Sequence, residues 1–189
     1  MHMIRPVSGL GLRSARDRAF TLVEILSVVL ILGIISLIVI PQIGQRGDLQ
    51  AAAAARVLVG DLTYAQNRAI STGGWTYIAF DSEGQDYTLY SGTSSAPSGT
   101  PLPHPVNTGN YTMTFSGSGP NALSGATLAS LNIGSNANTL AFDSTGIPYA
   151  YTSGQSPVAL SSAADAVISS DNYSVTVTVE PATGDISAQ

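Results

Sequence analysis

Residues 20–40 read FTLVEILSVVLILGIISLIVI, an almost uninterrupted apolar run that decides how the chain is organised. A helix that spans a membrane needs about 20 largely apolar residues, and this run supplies that length. Four of the seven arginines precede the run, and none follows it before Arg46. This excess of basic residues on the N-terminal side predicts that residues 1–19 lie in the cytoplasm and that the chain after Ile40 faces outward.

Charged residues are rare and unevenly distributed in the rest of the chain. The sequence contains no lysine and no cysteine, and only 10% of its residues are charged. Residues 69–189 hold eight Asp and Glu residues but no Lys or Arg. Because nucleic-acid binding depends on Lys and Arg that neutralise phosphates, this region is not expected to bind nucleic acid. The absence of cysteine excludes a thiol nucleophile, two histidines are too few for a His-based metal cluster, and no cofactor is expected.

One charged side chain, Glu24, interrupts the apolar run. A charge deep in a bilayer costs roughly 2.5–3.5 kcal/mol on insertion scales, and less near the interface. One interpretation is that Glu24 lies close enough to the cytoplasmic face to reach water. The other is that Glu24 pairs with a cation inside the membrane. The nearest candidate for that cation is the new α-amine that would form if the chain were cut just before Phe20.

The segment Ala19-Phe20-Thr21-Leu22-Val23-Glu24 follows an Arg-rich leader and precedes the apolar run. This combination resembles the type IV prepilin and pseudopilin signature, in which Gly is usual at the position of Ala19. The resemblance implies that a prepilin peptidase removes residues 1–19 as a leader, cutting between Ala19 and Phe20, and methylates the Phe20 amine. It also implies that Glu24 neutralises the Phe20 ammonium of a neighbouring subunit when a filament assembles.

An ordinary secretory signal peptide is the alternative explanation for the same segment. It requires a small-residue cleavage site after the apolar core, which the alanines at residues 51–55 could formally supply. That site lies ten or more residues past Ile40, and the apolar run is longer than a usual signal core. The pilin-like interpretation is therefore favoured.

The pattern after the apolar run predicts that the helix continues. Small and apolar residues recur at spacings of three and four, which marks one apolar helix face: Ala51, Ala55, Leu58, Leu62, Ala65 and Ala69. Since Gly73-Gly74 ends the pattern, residues 20–71 are predicted to form one long helix, transmembrane to about residue 40 and amphipathic beyond it. Gly33 and Pro41 are predicted kink positions, because Gly costs about 1 kcal/mol in a helix and Pro removes a backbone donor.

Residues 72–189 are predicted to form a β-rich globular head. Candidate strands, separated by segments rich in Ser, Thr and Gly, are residues 75–80, 87–91, 111–116, 126–133, 139–142, 148–152 and 173–180. The last of these alternates apolar and polar residues, as a half-buried antiparallel strand does. Residues 92–109, with four prolines, are predicted to be a long exposed loop. The predicted fold class is α+β and pilin-like, with a long N-terminal helix packed on an antiparallel β-sheet head.

Three short segments, one at the end of the helix and two in the head, resemble the H-type minor pseudopilins and the FimT-like minor pilins: residues 61–70, 142–146 and 183–186. This resemblance implies a minor pseudopilin of a type II secretion system. Such a subunit would assemble with other pseudopilins on an inner-membrane platform, with its head in the periplasm. A minor type IV pilin and a membrane-anchored periplasmic binding module remain as alternatives.

Two further groups of residues are weighed as sites. The acidic loop Asp81–Asp86 could ligate calcium, which prefers clustered carboxylate oxygens, but a solvated hairpin turn is favoured. His104, between two prolines, could be read as a catalytic base. A lone loop histidine is usually solvated, and the chain contains no G-x-S-x-G nucleophile motif, so no enzymatic activity is expected.

Overall fold

The computed structural model describes residues 20–43, 47–83, 85–115, 117, 119, 121–123, 125–134 and 137–189. Helix α1 (Leu22–Ile43) lies in one compact unit, and helix α2 (Gly47–Thr72) lies with the strands in another. The predicted helix over residues 20–71 thus corresponds to two helices. Residues 44–46 between them lie outside the described part of the chain, so the continuity of the helix stays a prediction.

Helix α1 exposes every side chain that the structure describes in it, through residue 36. Its serines are satisfied internally, because Ser27 and Ser36 each donate a hydroxyl hydrogen to the carbonyl four residues earlier, at 2.7 Å. The helix runs through both Gly33 and Pro41. Among the described residues, no helix combines the length and the apolar character that crossing a membrane requires.

Helix α2 packs on the strands through one face of small and apolar residues. The six residues predicted for this face are all buried, and so is Ala54. Two hydrogen bonds end the helix, from the N–H of Gly73 to the carbonyl of Ile70 at 3.3 Å and from the N–H of Gly74 to the carbonyl of Ala69 at 3.1 Å. Gly73 has a φ of 63°, so this is a Schellman cap. The predicted face and the predicted glycine stop are confirmed.

The strands of the head follow α2 in the chain. They are β1 (Trp75–Phe80), β2 (Asp86–Gly92), β3 (Pro97–Pro101), β4 (Thr112–Thr114), β5 (Thr127–Asn132), β6 (Thr139–Phe142), β7 (Pro148–Tyr151), β8 (Val158–Ala159), β9 (Ala164–Ser170), β10 (Tyr173–Val179) and β11 (Ile186–Ala188). They form two antiparallel sheets. The larger sheet has the order β3-β2-β1-β6-β7-β8, with β4 also paired to β2, and the smaller has the order β11-β10-β9-β5.

The main core lies between α2 and the facing sides of the two sheets, where Leu58, Ile78 and Ile168 are fully buried. Because successive residues of a strand point to opposite faces, Tyr77 lies on the other face of the larger sheet. There it belongs to a second cluster with Ala141 and Tyr151. The larger sheet therefore packs apolar side chains on both faces.

The predicted strands agree with the structure in part. β1 and β6 have the predicted bounds, and β10 covers most of the predicted final strand. The prediction of one long loop over residues 92–109 is wrong, because residues 97–101 form β3. β3 is an edge strand, a position at which proline is tolerated because one side of the strand needs no ladder hydrogen bonds. β9 was not predicted.

Candidate functional site

The residues predicted for processing and assembly lie at the start of α1. Phe20 precedes the helix and 72% of its surface is exposed. Glu24 is the third residue of the helix and is also exposed. Ala19 lies outside the described residues, so the predicted cleavage between Ala19 and Phe20 stays a prediction. Gly33 and Pro41 lie further along α1, and their predicted role as kink positions stays a prediction as well.

Thr21 caps this helix and fixes where it begins. The Thr21 hydroxyl accepts a hydrogen bond from the backbone N–H of Glu24 at 3.2 Å. The Thr21 carbonyl accepts from the N–H groups of Glu24 and Ile25 at 3.1 and 3.2 Å. Thr followed three residues later by Glu is the sequence pattern of a capping box, and it could have predicted this helix start. Sequence reasoning did not assign this role to Thr21.

The backbone and the side chain of Glu24 have different roles at the start of α1. Its backbone N–H holds the Thr21 hydroxyl, whereas its carboxylate carries a negative charge in the first turn, where the helix dipole favours it. Within the described residues, no ion pair involves this carboxylate. The charge of Glu24 is therefore available to a cation outside the described chain, and the cap itself does not require the Glu24 side chain.

The three segments that resemble minor pseudopilins meet at Gln66 of α2. The Gln66 side-chain amide donates hydrogen bonds to the carbonyls of Gly146 at 3.1 Å and Gly184 at 2.9 Å. Gly146 ends the turn between β6 and β7, and Gly184 lies in the turn between β10 and β11. One neutral amide thus joins the end of α2 to a turn of each sheet. Sequence analysis did not assign this role to Gln66.

A second polar group anchors α2 to the larger sheet through Asp61. Its two carboxylate oxygens accept hydrogen bonds from the hydroxyls of Tyr87 at 2.5 Å and Tyr111 at 2.9 Å. Burial raises the pKa of Asp61, against the opposing effect of the two tyrosine hydrogen bonds and of His104. Burial and the neighbouring carboxylate raise the pKa of Tyr87 well above its ordinary value. Asp61 is a half-buried acceptor for two donors, and its hydrogen bonds connect α2 to Tyr87 of β2 and to Tyr111.

The raised pKa of Asp61 predicts a pH dependence of stability. A carboxyl whose folded-state pKa lies above its unfolded value stabilises the fold fully below the unfolded pKa, and this contribution is lost as the pH rises through the folded pKa. In Asp61→Asn the amide oxygen can accept from one of the two tyrosine hydroxyls and the amide nitrogen faces the other, but the group does not ionise. We therefore expect the free energy of unfolding of the wild type, relative to Asp61→Asn, to fall as the pH rises from about 4.

Urea denaturation of the wild type and Asp61→Asn at about pH 4 and above measures the two free energies of unfolding. Because the two proteins share all other titratable groups, the effects of those groups cancel in the difference. If the free energy of unfolding of the wild type rose with pH relative to that of Asp61→Asn, the raised pKa of Asp61 would be contradicted. Asp61→Ala tests the hydrogen bonds themselves, since it leaves the buried hydroxyl of Tyr87 without its acceptor and should cost about 2 kcal/mol.

The acidic loop and His104 have structural roles. Asp81 Oδ1 accepts hydrogen bonds from the N–H groups of Gln85 at 2.7 Å and Asp86 at 3.2 Å, which closes the hairpin between β1 and β2. In the part of the chain that the structure describes, no group of three His or acidic residues could hold a metal ion. His104 Nδ1 accepts two backbone hydrogen bonds, and its ring lies 4.4 Å from that of Tyr111. His104 is a half-exposed loop residue, and these contacts help to hold the loop.

Comparison with known proteins supports the sequence resemblance. Residues 14–40 match the family described as the Prokaryotic N-terminal methylation motif. The fold is similar to that of the minor pseudopilin EpsH from the Type 2 Secretion System of Vibrio cholerae, with a TM-score of 0.50 and 14% identity over 74% of this chain and 96% of that chain. It is also similar to the type IV minor pilin FimU of Pseudomonas aeruginosa, with a TM-score of 0.51 and 15% identity over 74% of this chain and 87% of that chain.

The chain has the methylation motif, and its fold is similar to those of the pseudopilin EpsH and the pilin FimU. The predicted resemblance and the predicted fold class, a helix packed on an antiparallel head, are thereby confirmed. The two pilin-like proteins reported above are named as a pseudopilin and a pilin, not as enzymes. No curated protein matches the chain by sequence.

Proposed function

We propose that this chain is a minor pseudopilin, a structural subunit of a type II secretion pseudopilus that drives protein export. The observation that carries the proposal is the coincidence of two features in one chain. The methylation motif at residues 14–40 includes most of α1, and the head that follows in the chain has a pilin-like fold. The chain acts as a building unit rather than as an enzyme.

In this function residues 1–19 are a cytoplasmic leader, which a prepilin peptidase removes before methylating Phe20. The segment to about residue 40 anchors the subunit in the inner membrane as a single span, with the head of residues 72–189 in the periplasm. The support for the span is the apolar sequence and the arginine-rich leader. The partners are other pseudopilins in the filament and the inner-membrane platform on which the filament grows.

A minor type IV pilin is the second candidate, because the fold is as similar to FimU as to EpsH. The two candidates share processing, membrane anchoring and assembly, and they differ in the machine that the subunit joins. Copurification with other pseudopilins supports the secretion system. Loss of surface pili or of twitching motility in a deletion strain supports the pilus.

The decisive test of the proposal is the N-terminal mass of the protein extracted from membranes. A chain that starts at Phe20 and carries one additional methyl group supports it, whereas a start within residues 52–56 would show an ordinary signal peptide instead.

We also expect Ala19→Trp to leave an uncleaved precursor, with processing reduced by more than about tenfold, because a peptidase that accepts a small residue at this position cannot fit an indole. Immunoblotting of the precursor and mature bands measures this.

Ala15→Trp is the matched control for this experiment. It introduces the same side chain into the leader four residues before the junction, at a position the cleavage prediction does not involve. Normal processing of Ala15→Trp together with blocked processing of Ala19→Trp supports the predicted junction. Normal processing of both variants would place the cleavage elsewhere.

A further inference from the structure

The outer face of the larger sheet, away from α2, carries an unusual group of aromatic side chains. Trp75 and Tyr77 of β1 have ring centroids 6.2 Å apart. The ring of Trp75 also lies 4.7 Å from that of Tyr149 of β7, and the ring of Tyr77 lies 5.4 Å from that of Tyr151. Tyr77 and Tyr151 are buried, but Trp75 and Tyr149 are only partly covered and reach the surface.

The register of the strands explains why these two rings meet at the surface. Ala141 of β6 pairs with Tyr77 on one side and with Tyr149 on the other. Ala141 is fully buried, and its small side chain leaves room above it for larger neighbours. Trp75 and Tyr149 therefore meet across β6, and each ring is partly exposed to solvent.

A carboxylate lies beside these rings. Asp143, which follows β6, accepts three hydrogen bonds with its Oδ1 atom, from the N–H and the hydroxyl of Thr145 at 2.8 and 2.7 Å and from the N–H of Ile147 at 3.0 Å. Among the described residues, the only group that its Oδ2 atom faces is the Tyr149 hydroxyl, at 3.5 Å. Oδ1 thus stabilises the turn, whereas Oδ2 can accept a hydrogen bond from a stronger donor.

Asp143 remains ionised at neutral pH. Burial alone would raise the pKa of Asp143, but the hydrogen bonds from Thr145, Ile147 and Gly146 outweigh it and lower the pKa. In the part of the chain that the structure describes, no cation lies within ion-pair distance of this carboxylate. The chain itself has no Lys or Arg after Arg68, whereas residues 69–189 carry eight acidic residues. A negative group beside exposed aromatic rings, on a head of this charge, is complementary to a cationic partner.

We propose that Trp75, Tyr149 and Asp143 form a docking surface for an arginine side chain presented by a protein partner. A guanidinium group is planar, so it can stack on the indole or phenol face while its N–H groups donate to Asp143 Oδ2. A lysine ammonium lacks this planar fork and would use only one of the two interactions well. This inference goes beyond the proposed function and does not depend on filament assembly.

The only tryptophan of the chain lies in this surface, which gives a site-specific reporter. The experiment uses the full chain in a nonionic detergent and titrates it with the capped peptide Gly-Arg-Gly. Fluorescence of Trp75 and the indole N–H resonance report binding. We expect a saturable change with this peptide and an affinity at least about fivefold lower for the same peptide with citrulline or with lysine in place of arginine. Equal responses to the arginine and citrulline peptides, or to arginine and lysine, would overturn the proposal.

Asp143→Asn tests the carboxylate with little change in the fold. The amide oxygen of asparagine can replace Oδ1 in the turn, and its amide nitrogen replaces the open oxygen with a donor. Glu83→Gln is the matched control, because it removes the same charge from an exposed residue of the turn beyond the other end of β1. We expect Asp143→Asn to weaken binding of the arginine peptide at least about fivefold and Glu83→Gln to leave it unchanged. Equal affinities of wild type and Asp143→Asn, with equal thermal stability, would overturn the assignment.

Discussion

A chain that carries Glu24→Ala should fail to enter the filament while its head remains folded. In the proposed assembly, the Glu24 carboxylate neutralises the methylated Phe20 ammonium of a neighbouring subunit inside an apolar core. Removing one partner of a buried ion pair costs roughly 3–5 kcal/mol, because the other charge is left uncompensated. We therefore expect incorporation to fall at least about a hundredfold, measured by immunoblotting of sheared or crosslinked filaments.

The cap at the start of α1 supplies the control for this prediction. Glu24→Ala keeps the backbone N–H that binds the Thr21 hydroxyl, so the helix start is retained. Thr21→Ala has the opposite effect, because it removes the capping hydroxyl, at a cost of about 1 kcal/mol, and keeps the Glu24 charge. Thr21→Ala should assemble nearly as well as the wild type. Assembly of Glu24→Ala at the wild-type level would contradict the role assigned to the carboxylate.

Gly184→Ala should be the most destabilising of the single-methyl additions considered for the head. Gly184 has a φ of 64°, a conformation that costs a residue with a Cβ atom roughly 1–2 kcal/mol. A Cβ atom there would also lie 2.5 Å from both the Gly146 carbonyl oxygen and the Gln66 amide nitrogen. Since the carbonyl belongs to the backbone, relieving this overlap would disturb the junction at Gln66. We expect a loss of about 3 kcal/mol in the free energy of unfolding, measured by urea denaturation.

Gly134→Ala separates the two causes. Gly134 has a similar φ of 76°, but a Cβ atom at this position would meet nothing within 4 Å. We expect this variant to lose only about 1 kcal/mol, the part that arises from backbone strain. If the two variants were equally stable, the close approach of Gly184 to Gly146 and Gln66 would not contribute to stability.

Features set by neighbouring residues could be predicted from the sequence. The alanine and leucine spacing gave the buried face of α2, and Gly73-Gly74 gave its end, because both depend on helical periodicity and on one local cap. β1 and β6 were predictable because their β-branched and aromatic residues lie between clear turn residues. The buried face of β9 consists of Ala164, Ala166, Ile168 and Ser170, and because three of these four residues are small, the sequence pattern of a strand is weak there.

Features set by distant residues could not be predicted. The hydrogen bonds of Gln66 join it to residues 80 and 118 positions away in the sequence. The pairing of Asp61 with Tyr87 and Tyr111 likewise depends on how α2 lies across the larger sheet. Periodicity carries no information about such contacts, since each of these residues is an ordinary polar residue until the fold places its partners. The charge partner of Glu24 remains a prediction, because the proposed amine belongs to another subunit.

The prolines at both ends of β3 have a consequence for crowded assemblies. β3 is an outer strand of the larger sheet, and a residue without an amide hydrogen cannot donate to an incoming strand. Two heads that met at this edge could otherwise pair their sheets, which is how edge strands lead to aggregation. Pro97 and Pro101 reduce the number of hydrogen bonds that this edge can donate to a second sheet, which protects the folded head from aggregation through β3.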